Sequence, residues 1–120
     1  MRLDDVLCNE ACRLIKIDAE GYEAEILAGA TDTLRNPELI GLIVELNGAG
    51  LRYGHSNESV HNKLRSYDFA PFRYDSLKRS LHKESTYNTS GLNTLYLRNV
   101  DAIERLVRAA PAVTVRGQTL

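Results

Sequence analysis

The residues best suited to chemistry are carboxylates that interrupt two apolar runs of the chain. Asp18 ends the run LIKI, Glu20 and Gly21 follow it in a turn, and Glu45 closes a second run, LIGLIV. An acidic side chain in an apolar strand costs folding free energy unless it is hydrogen-bonded or used in function. The pattern therefore marks these carboxylates as candidates for proton transfer or ligand binding.

The chemistry depends on the two apolar runs lying side by side as strands. Neighbouring parallel strands are about 4.8 Å apart, so we expect the carboxylates of Asp18 and Glu45 to come close. A like charge at such a distance raises the pKa of a carboxyl group, which suits a general base. Either residue could then accept a proton from a ligand.

A purely structural interpretation applies to the acidic residues that follow. Acidic side chains in the first turn of a helix stabilise it by about 0.3–1 kcal/mol through the helix dipole. This explains Glu23, which we expect to face solvent, and Glu25. The same interpretation is one of two that stay open for Glu20. Asp18 and Glu45 lie within the apolar runs, where the dipole offers no explanation.

The histidines are weaker candidates for a functional role. His55, His61 and His82 share no ligand spacing, so the sequence predicts no metal site. We expect His61 and His82 to face solvent. His55 follows NGAGLRYG on the same rim as Asp18 and Glu45, where either a role in proton transfer or a plain surface position would fit. No serine or cysteine lies in a nucleophile elbow.

The elements that would position the carboxylates are predicted by the hydropathy pattern. LIKID predicts a strand buried on both faces of a parallel sheet, and residues 39–46 predict a second strand. Between them, helical spacing from Tyr22 to the residue before Pro37 predicts one helix of about four turns. A strand, a helix and a strand with short joints form a βαβ unit with parallel strands. A second helix follows, capped by Ser56 or Asn57.

The second half of the chain predicts an antiparallel edge and a terminal helix. FAPFRYDS and LNTLYLRN alternate polar and apolar residues as strands do, and the polar segment between them predicts a mobile surface loop. A helix from about residue 100 is stopped by Pro111. Residues 111–120 form either a short edge strand or a loose tail. The prediction is a single α/β domain over residues 1–120, with the order βαβα, a hairpin-like antiparallel edge and a C-terminal helix.

Composition and charge exclude several classes of protein. Across 120 residues the formal net charge is −1, with no basic run of the kind that contacts phosphates, so we expect no nucleic-acid partner. No apolar stretch approaches the roughly 18 residues that span a bilayer. The charged N-terminus MRLDDVLCNE lacks the apolar core of a secretory signal. These features predict a cytoplasmic chain with no membrane partner.

Taken in order, the segments RLDDVL, LIKIDAEGYEAEILAGATDTL, LIGLIVELN, LRSYDF and NTLYLRN resemble the C-terminal half of the FkbM-family methyltransferases. The resemblance covers residues 3–99, and IKIDAEGYE is its most specific element. It implies a partial Rossmann-like sheet of the class I methyltransferase type. It also implies methyl transfer from S-adenosylmethionine, typically to a hydroxyl of a sugar or natural product. The expected partner is a small-molecule acceptor with a hydroxyl group.

The resemblance also implies roles for individual residues. Asp18 matches the acid at the tip of the family's fourth strand, Glu20 and Gly21 match the turn after it, and Glu45 matches the acid of the fifth strand. Catalytic roles beside the site of methyl transfer are implied for Asp18, Glu20 and Glu45. The residues expected to face the substrate or the cofactor are Gly21, Tyr22, Asn47 and His55.

The sequence departs from the family in one large respect. We find no counterpart of the strand, glycine-rich turn and helix that hold the cofactor, so we expect these 120 residues alone to bind S-adenosylmethionine weakly or not at all. Two interpretations stay open: an enzyme fragment that acts once its N-terminal half is supplied, and a non-catalytic α/β module for binding or assembly. A carboxylate-dependent hydrolase is less well supported, because no metal ligands accompany Asp18 and Glu45.

The same departure leaves the predicted strand at residues 14–18 without a neighbour on one side. Unpaired backbone groups along a strand edge recruit another strand. We therefore expect a homodimer that pairs through this edge. The segments MRLDDVL and AVTVRG are the local candidates for covering it.

Overall fold

The computed structural model describes residues 1–8 and 10–120, which form five α-helices, one 3₁₀ helix and two β-sheets. The helices are α1 (Leu3–Leu7), α2 (Glu23–Ala28), α3 (Thr31–Arg35), α4 (Asn57–Arg65) and α5 (Val100–Ala109), with the 3₁₀ helix at Ala49–Tyr53. The strands are β1 (Leu14–Ile17), β2 (Gly41–Glu45), β3 (Ala70–Asp75), β4 (Ser80–Lys83), β5 (Asn93–Leu97), β6 (Thr114–Val115) and β7 (Gln118–Thr119). Five strands form one mixed sheet in the order β1-β2-β5-β3-β4. The predicted mixed α/β class is confirmed.

The two strands that carry the carboxylates are parallel neighbours, as predicted. β1 pairs with β2 from Leu14 opposite Gly41 to Ile17 opposite Val44. β5 runs antiparallel to both β2 and β3, and β4 extends the sheet antiparallel to β3. The prediction of a loop throughout the segment between β3 and β5 is therefore wrong. The β4 sequence SLHK is mostly polar, because a strand at the edge of a sheet needs apolar residues on one face at most.

One face of the five-stranded sheet is covered by helices and forms the core. Strand alternation places Ile17, Leu42, Val44 and Tyr96 on this face, where each is at most 3% exposed. The helices α2, α3 and α4 contribute the leucines of the same cluster, Leu27, Leu34 and Leu64. We call this side of the sheet the covered face.

The opposite side of the sheet is largely open, and we call it the open face. Leu14, Ile43 and Leu95 lie there and, with residues of α5, line an apolar cavity of about 400 Å³. Leu14 is 56% exposed. The prediction that β1 is buried on both faces is wrong, because α2, α3 and α4 all pack on the covered face.

The predicted four-turn helix after β1 is in fact two short helices. α2 ends before Gly29, and α3 begins at Thr31. Asp4 of α1 accepts the backbone N–H groups of Asp32 at 3.2 Å and of Thr33 at 2.9 Å, and so caps α3. The sequence could not reveal the break, because its cap comes from a residue 28 positions earlier.

The last ten residues contain a hairpin of their own, in which β6 pairs with β7. Arg79, which lies just before β4, donates hydrogen bonds to the carbonyl oxygens of Ala110, Pro111 and Leu120. These bonds tie the end of α5 and the hairpin to the five-stranded sheet.

The helices of the chain are short. α5 has 10 residues, whereas a helix that spans a bilayer needs about 20. In the part of the chain that the structure describes, no helix combines the length and the apolar character required to cross a membrane.

Candidate functional site

β1 and β2 end side by side, and their ends carry the candidate carboxylates. The register that pairs Ile17 with Val44 continues to Asp18 opposite Glu45, and Glu20 follows from the turn after β1. One carboxylate oxygen from each of Asp18, Glu20 and Glu45 lies within 4.8 Å of the other two. The expected proximity of Asp18 and Glu45 is confirmed. We call these three residues the carboxylate cluster.

Repulsion within the cluster changes the proton affinity of Glu45. The negative charge of Asp18 raises the pKa of Glu45, and loss of hydration and the charge of Glu20 act in the same direction. Lys16 acts against them, with its ammonium nitrogen 3.5 Å from the Asp18 carboxylate. Glu45 therefore binds a proton more readily than an isolated glutamate does, as a general base requires.

Asn47 links two members of the cluster. Its side-chain amide donates hydrogen bonds to Glu20 at 3.4 Å and to Glu45 at 3.5 Å. Its amide oxygen accepts the N–H of Ala49 at 2.9 Å, which fixes the orientation of the side chain. Asn47 is thus in direct contact with the carboxylates, and its predicted contact with substrate or cofactor stays a prediction.

The turn after β1 has a backbone conformation that few residues adopt. Glu20 has φ of 50° and Gly21 has φ of 107°, within the left-handed region that favours glycine. A Cβ atom on Gly21 would lie 2.7 Å from the carbonyl carbon and oxygen of Ala49. Glycine is therefore required here for close packing of two backbone segments, whether or not a ligand lies beside it.

Tyr22 lies on the outer side of this turn, two residues beyond Glu20. Its ring packs against that of Tyr53, with the ring centroids 4.5 Å apart and the planes at 59°. The two residues are 49% and 42% exposed. Together they form an apolar wall with polar hydroxyl groups that a ligand could contact.

Glu23 is buried, and the expectation that it faces solvent is wrong. It is 6% exposed, and its carboxylate accepts the backbone N–H groups of Ala19 at 3.0 Å and of Gly21 at 3.2 Å. Glu25, by contrast, is exposed. The two acids differ because the chain turns sharply at Gly21 and directs two N–H groups at Glu23.

Two of the three histidines lie at the surface and make polar contacts there. His55, on the loop after β2, contacts Glu25 of α2, an acid outside the cluster, with Nε2 2.9 Å from Oε1. His82 is exposed as expected, and its Nε2 lies 3.0 Å from the hydroxyl of Ser80. A role for His55 toward a ligand stays a prediction.

His61 is buried, and the expectation that it faces solvent is wrong. It is 3% exposed, and its Nδ1 lies 2.8 Å from the hydroxyl oxygen of Tyr96. Burial lowers the pKa of His61. Its position three residues before the buried Leu64, one helical turn along α4, was the available sequence signal for burial.

A groove on the open face lies beside the cluster. Asn93 of β5 is opposite Glu45 in the sheet, and with Ile43, Phe72 and Leu95 it lines a groove of about 570 Å³. Asn93 was not predicted as a site residue, because only its register against an antiparallel partner brings it next to Glu45. The groove combines an apolar floor with an amide that can donate and accept hydrogen bonds.

The cluster can act on a ligand in two ways. Three carboxylates at this spacing attract a cation or a positively charged group, and Glu45 can accept a proton from a hydroxyl group. The prediction of no metal site rested on histidine spacing and did not consider an all-carboxylate cluster. Exposed acidic groups are common without a bound ion, so the geometry alone assigns no metal here.

Comparison with known families gives a match that includes this region. A family model described as the methyltransferase FkbM domain matches residues 1–71 of the 120-residue chain. The matched segment runs from the N-terminus to the start of β3 and contains the whole carboxylate cluster and Asn47. No curated protein and no solved structure gives a significant match.

Proposed function

Because the chain belongs to the FkbM methyltransferase domain family, we propose that it forms part of an S-adenosylmethionine-dependent O-methyltransferase. The proposed acceptor is a hydroxyl group of a sugar or natural product. The observation that carries this proposal is the carboxylate cluster at the ends of β1 and β2. In open α/β sheets, ligands bind beyond the carboxyl ends of parallel strands, and the cluster lies there.

The charge of the cluster suits the proposed cofactor. S-adenosylmethionine, when bound, supplies a methyl group carried on a positively charged sulfur. The cluster has three carboxylates, and the ammonium group of Lys16 contacts one of them, so the net charge at the cluster is negative. Asp18 and Glu20, both exposed, are the residues we propose to face the positive charge.

We propose that the acceptor occupies the groove beside Glu45. The apolar floor, with Ile43 and Leu95, suits the carbon skeleton of an acceptor, and the Asn93 amide suits its polar groups. Glu45 would hold the proton that the acceptor hydroxyl loses as its oxygen takes the methyl group; the bond between the methyl carbon and the sulfur breaks, and the cofactor leaves as a neutral thioether. Asp18 accepts a hydrogen bond from the acceptor and keeps it in line for the transfer.

We propose that a glycine-rich half domain supplies the rest of the cofactor site. The strand, glycine-rich turn and helix that hold such cofactors have no counterpart in this sequence. β1 is the terminal strand of the five-stranded sheet, and its pairing with β2 is parallel. A further parallel strand on the outer side of β1 would continue this pairing and bring a glycine-rich turn to the cluster.

A non-catalytic binding or assembly module is the second candidate, and the open face favours it. The apolar cavity of about 400 Å³ and the 56% exposed Leu14 form a surface of the kind that binds protein partners. In this interpretation the fold is kept for binding, and the cluster transfers no proton.

Supplying a glycine-rich half domain separates the two candidates. The half domain of another FkbM-family protein would be fused to the chain, and both the fusion and the chain alone would be titrated with S-adenosylmethionine by calorimetry. For the enzyme we expect micromolar binding by the fusion and little or none by the chain alone. A low micromolar dissociation constant for the chain alone, about −8 kcal/mol, would overturn the proposed origin of the cofactor site.

The variant Asp18→Asn in the fusion tests the cluster itself. Loss of a base or an orienting group commonly lowers the rate by about 10²–10⁴, and we expect a loss in this range at saturating cofactor, because Asp18 is also proposed to face the cofactor's positive charge. Glu38→Gln, which removes an exposed acid outside the cluster, should leave the rate unchanged. A fusion that binds the cofactor and yet methylates no member of a panel of sugars and hydroxylated natural products would favour the non-catalytic module.

A further inference from the structure

We propose that Glu23 is a positioning residue, whose buried carboxylate holds the turn that presents Asp18 and Glu20 to the candidate site. The consequence for methyl transfer rests on the proposed function. The role in shaping the turn stands on geometry alone and can be tested without any reaction. Nothing in the family match assigns this role to Glu23.

Glu23 makes both of its contacts through a single oxygen atom. Its Oε1 accepts the N–H of Ala19 at 3.0 Å and the N–H of Gly21 at 3.2 Å. These two N–H groups lie on either side of Glu20 in the chain. Glu20 is therefore held at both ends by one side chain that is itself 6% exposed.

The held conformation is one that Glu20 would not adopt freely. The left-handed region is sterically disfavoured for residues other than glycine, and Glu20 lies there with φ of 50°. Without Oε1 of Glu23, the N–H groups of Ala19 and Gly21 would lose their acceptor and Glu20 could return to a relaxed backbone conformation. Its carboxylate would then leave Asn47, to which it is bonded at 3.4 Å, and the cluster would lose one of its three members.

A role through the helix dipole would depend on a different property of the Glu23 side chain. The dipole role needs a negative charge in the first turn of α2, whereas the positioning role needs an acceptor oxygen at the present distance from the backbone. Glu23→Gln keeps the oxygen and removes the charge. Glu23→Asp keeps the charge and withdraws the oxygens by one methylene group.

The test is nuclear magnetic resonance of the 120-residue chain labelled with nitrogen-15. The measurements are the amide exchange rates of Ala19 and Gly21 and the HN–Hα coupling of Glu20, which reports φ. For Glu23→Asp we expect exchange at least about tenfold faster, as loss of a hydrogen bond worth about 1.4 kcal/mol or more implies, with a shifted Glu20 coupling. For Glu23→Gln we expect values close to those of the unaltered chain.

Glu25→Gln is the matched control, because it removes an exposed charge from the same first turn of α2 and leaves Oε1 of Glu23 in place. It should leave the turn unchanged. Altered values in Glu23→Gln together with unaltered values in Glu23→Asp would show a charge role and overturn the proposal. Unaltered values in both variants would overturn it as well. Absence of methyl transfer by the fusion would count against the proposed function alone, since these measurements involve no cofactor.

Discussion

The two faces of the five-stranded sheet carry similar apolar side chains and yet differ sharply in their surroundings. On the covered face, Leu42 and Val44 of β2 are fully buried beneath α2, α3 and α4. On the open face, Ile43 of the same strand lines a cavity, and Leu14 of β1 is 56% exposed. Apolar character in these strands therefore does not show which face is covered.

The difference also locates the candidate site. Asp18 follows Leu14 and Lys16 in the strand alternation, and Glu45 follows Ile43, so both carboxylates belong to the open face. The groove that contains Asn93 lies on this face too. The covered face therefore supplies stability, while the open face holds the residues that can meet a ligand or a partner.

Matched leucine substitutions should give the largest contrast between the faces. Leu42→Ala removes a fully buried side chain and should lower the free energy of unfolding by about 2–5 kcal/mol. Leu14→Ala should lower it by about 0.5 kcal/mol or less, because the residue is more than half exposed. Urea unfolding at low protein concentration measures both. Equal losses would mean that a partner covers the open face in solution.

The contrast between faces also explains how much of the fold could be predicted. The parallel pairing of β1 and β2 was predictable because both strands and their crossover are continuous in sequence. The break between α2 and α3 depends on Asp4, and β4 depends on its pairing with β3. Both require contacts between distant segments, which no local pattern reports. The exposure of Leu14 likewise depends on which face of the sheet α2, α3 and α4 pack against.

The candidate site was predictable to a similar extent. Asp18 and Glu45 are brought together by the same parallel pairing, so their proximity follows from the sequence. Glu23, His61 and Asn93 were missed or misplaced because their surroundings come from a turn, a packed helix and an antiparallel register. The polar character of Glu23 and His61 predicted that their side chains face solvent. Both are buried, because hydrogen bonds formed in the folded chain satisfy their polar atoms.

Arg98 should show the next largest effect, because it closes the covered face at the end of β5. Its guanidinium donates hydrogen bonds to the carbonyl oxygens of Leu39 at 2.8 Å, Leu34 at 2.8 Å and Tyr67 at 3.0 Å. Arg98→Lys keeps the charge and loses the planar guanidinium that donates these hydrogen bonds. We expect the free energy of unfolding in urea to fall by about 2–3 kcal/mol. Arg105→Lys, an exposed site on α5, should change the stability by about 0.5 kcal/mol or less. Similar small effects at both sites would show that Arg98 is dispensable for the covered face.

His61 should make the stability of the covered face depend on pH. Burial is the largest effect on the pKa of His61 and lowers it. The charge of Glu58 raises this pKa by a smaller amount, and the charge of Arg65 lowers it further. The neutral imidazole is thus favoured in the folded state, and its stabilisation is fully present above the ordinary histidine pKa of about 6.5. As the pH falls below that value, the unfolded chain takes up the proton first and stability is lost.

We expect the free energy of unfolding to fall between about pH 7 and pH 5, by at most about 2 kcal/mol, the limit for one proton taken up only by the unfolded chain below about pH 6.5. His61→Gln should remove most of this dependence, while His82→Gln, at an exposed site, should preserve it. Denaturant titrations at the two pH values provide the measurement. An equally steep dependence in His61→Gln would assign the effect to other groups.

The smallest effect concerns the outer edge of β1. The Arg13 carbonyl accepts the N–H groups of Ile40 and Gly41 on the β2 side, so alternation directs the backbone groups of Leu14 and Lys16 outward. The segments expected to cover this edge are engaged elsewhere: MRLDDVL contains α1, which caps α3, and AVTVRG lies in the β6–β7 hairpin. When the glycine-rich half domain proposed above is not bound, we propose that a second copy of the chain pairs with this edge.

Charge disfavours two registers for such a dimer, and we propose a third. Antiparallel pairing about a two-fold axis with Lys16 opposite Lys16 would oppose like charges, and pairing of Lys16 with Asp18 would bring two carboxylate clusters together. Ile15 opposite Ile15, with Leu14 opposite Lys16, avoids both costs. β1 has only 4 residues, so the interface is small and the association should be weak.

This register makes a prediction that depends on the sign of an introduced charge. Leu14→Lys places a second positive charge opposite Lys16 of the other copy and should abolish dimers, whereas Leu14→Glu places a negative charge there and should preserve them. Leu77→Lys, at a leucine that is 65% exposed in the turn between β3 and β4, is the matched control and should behave like the unaltered chain. Light scattering at about 100 μM, where a weak dimer of about −6 kcal/mol would be populated, is the measurement. A strictly monomeric unaltered chain would contradict the dimer. Equal loss of dimers in both Leu14 variants would contradict the register, because it would mean that the leucine side chain itself makes the contact and that the sign of the replacing charge does not matter.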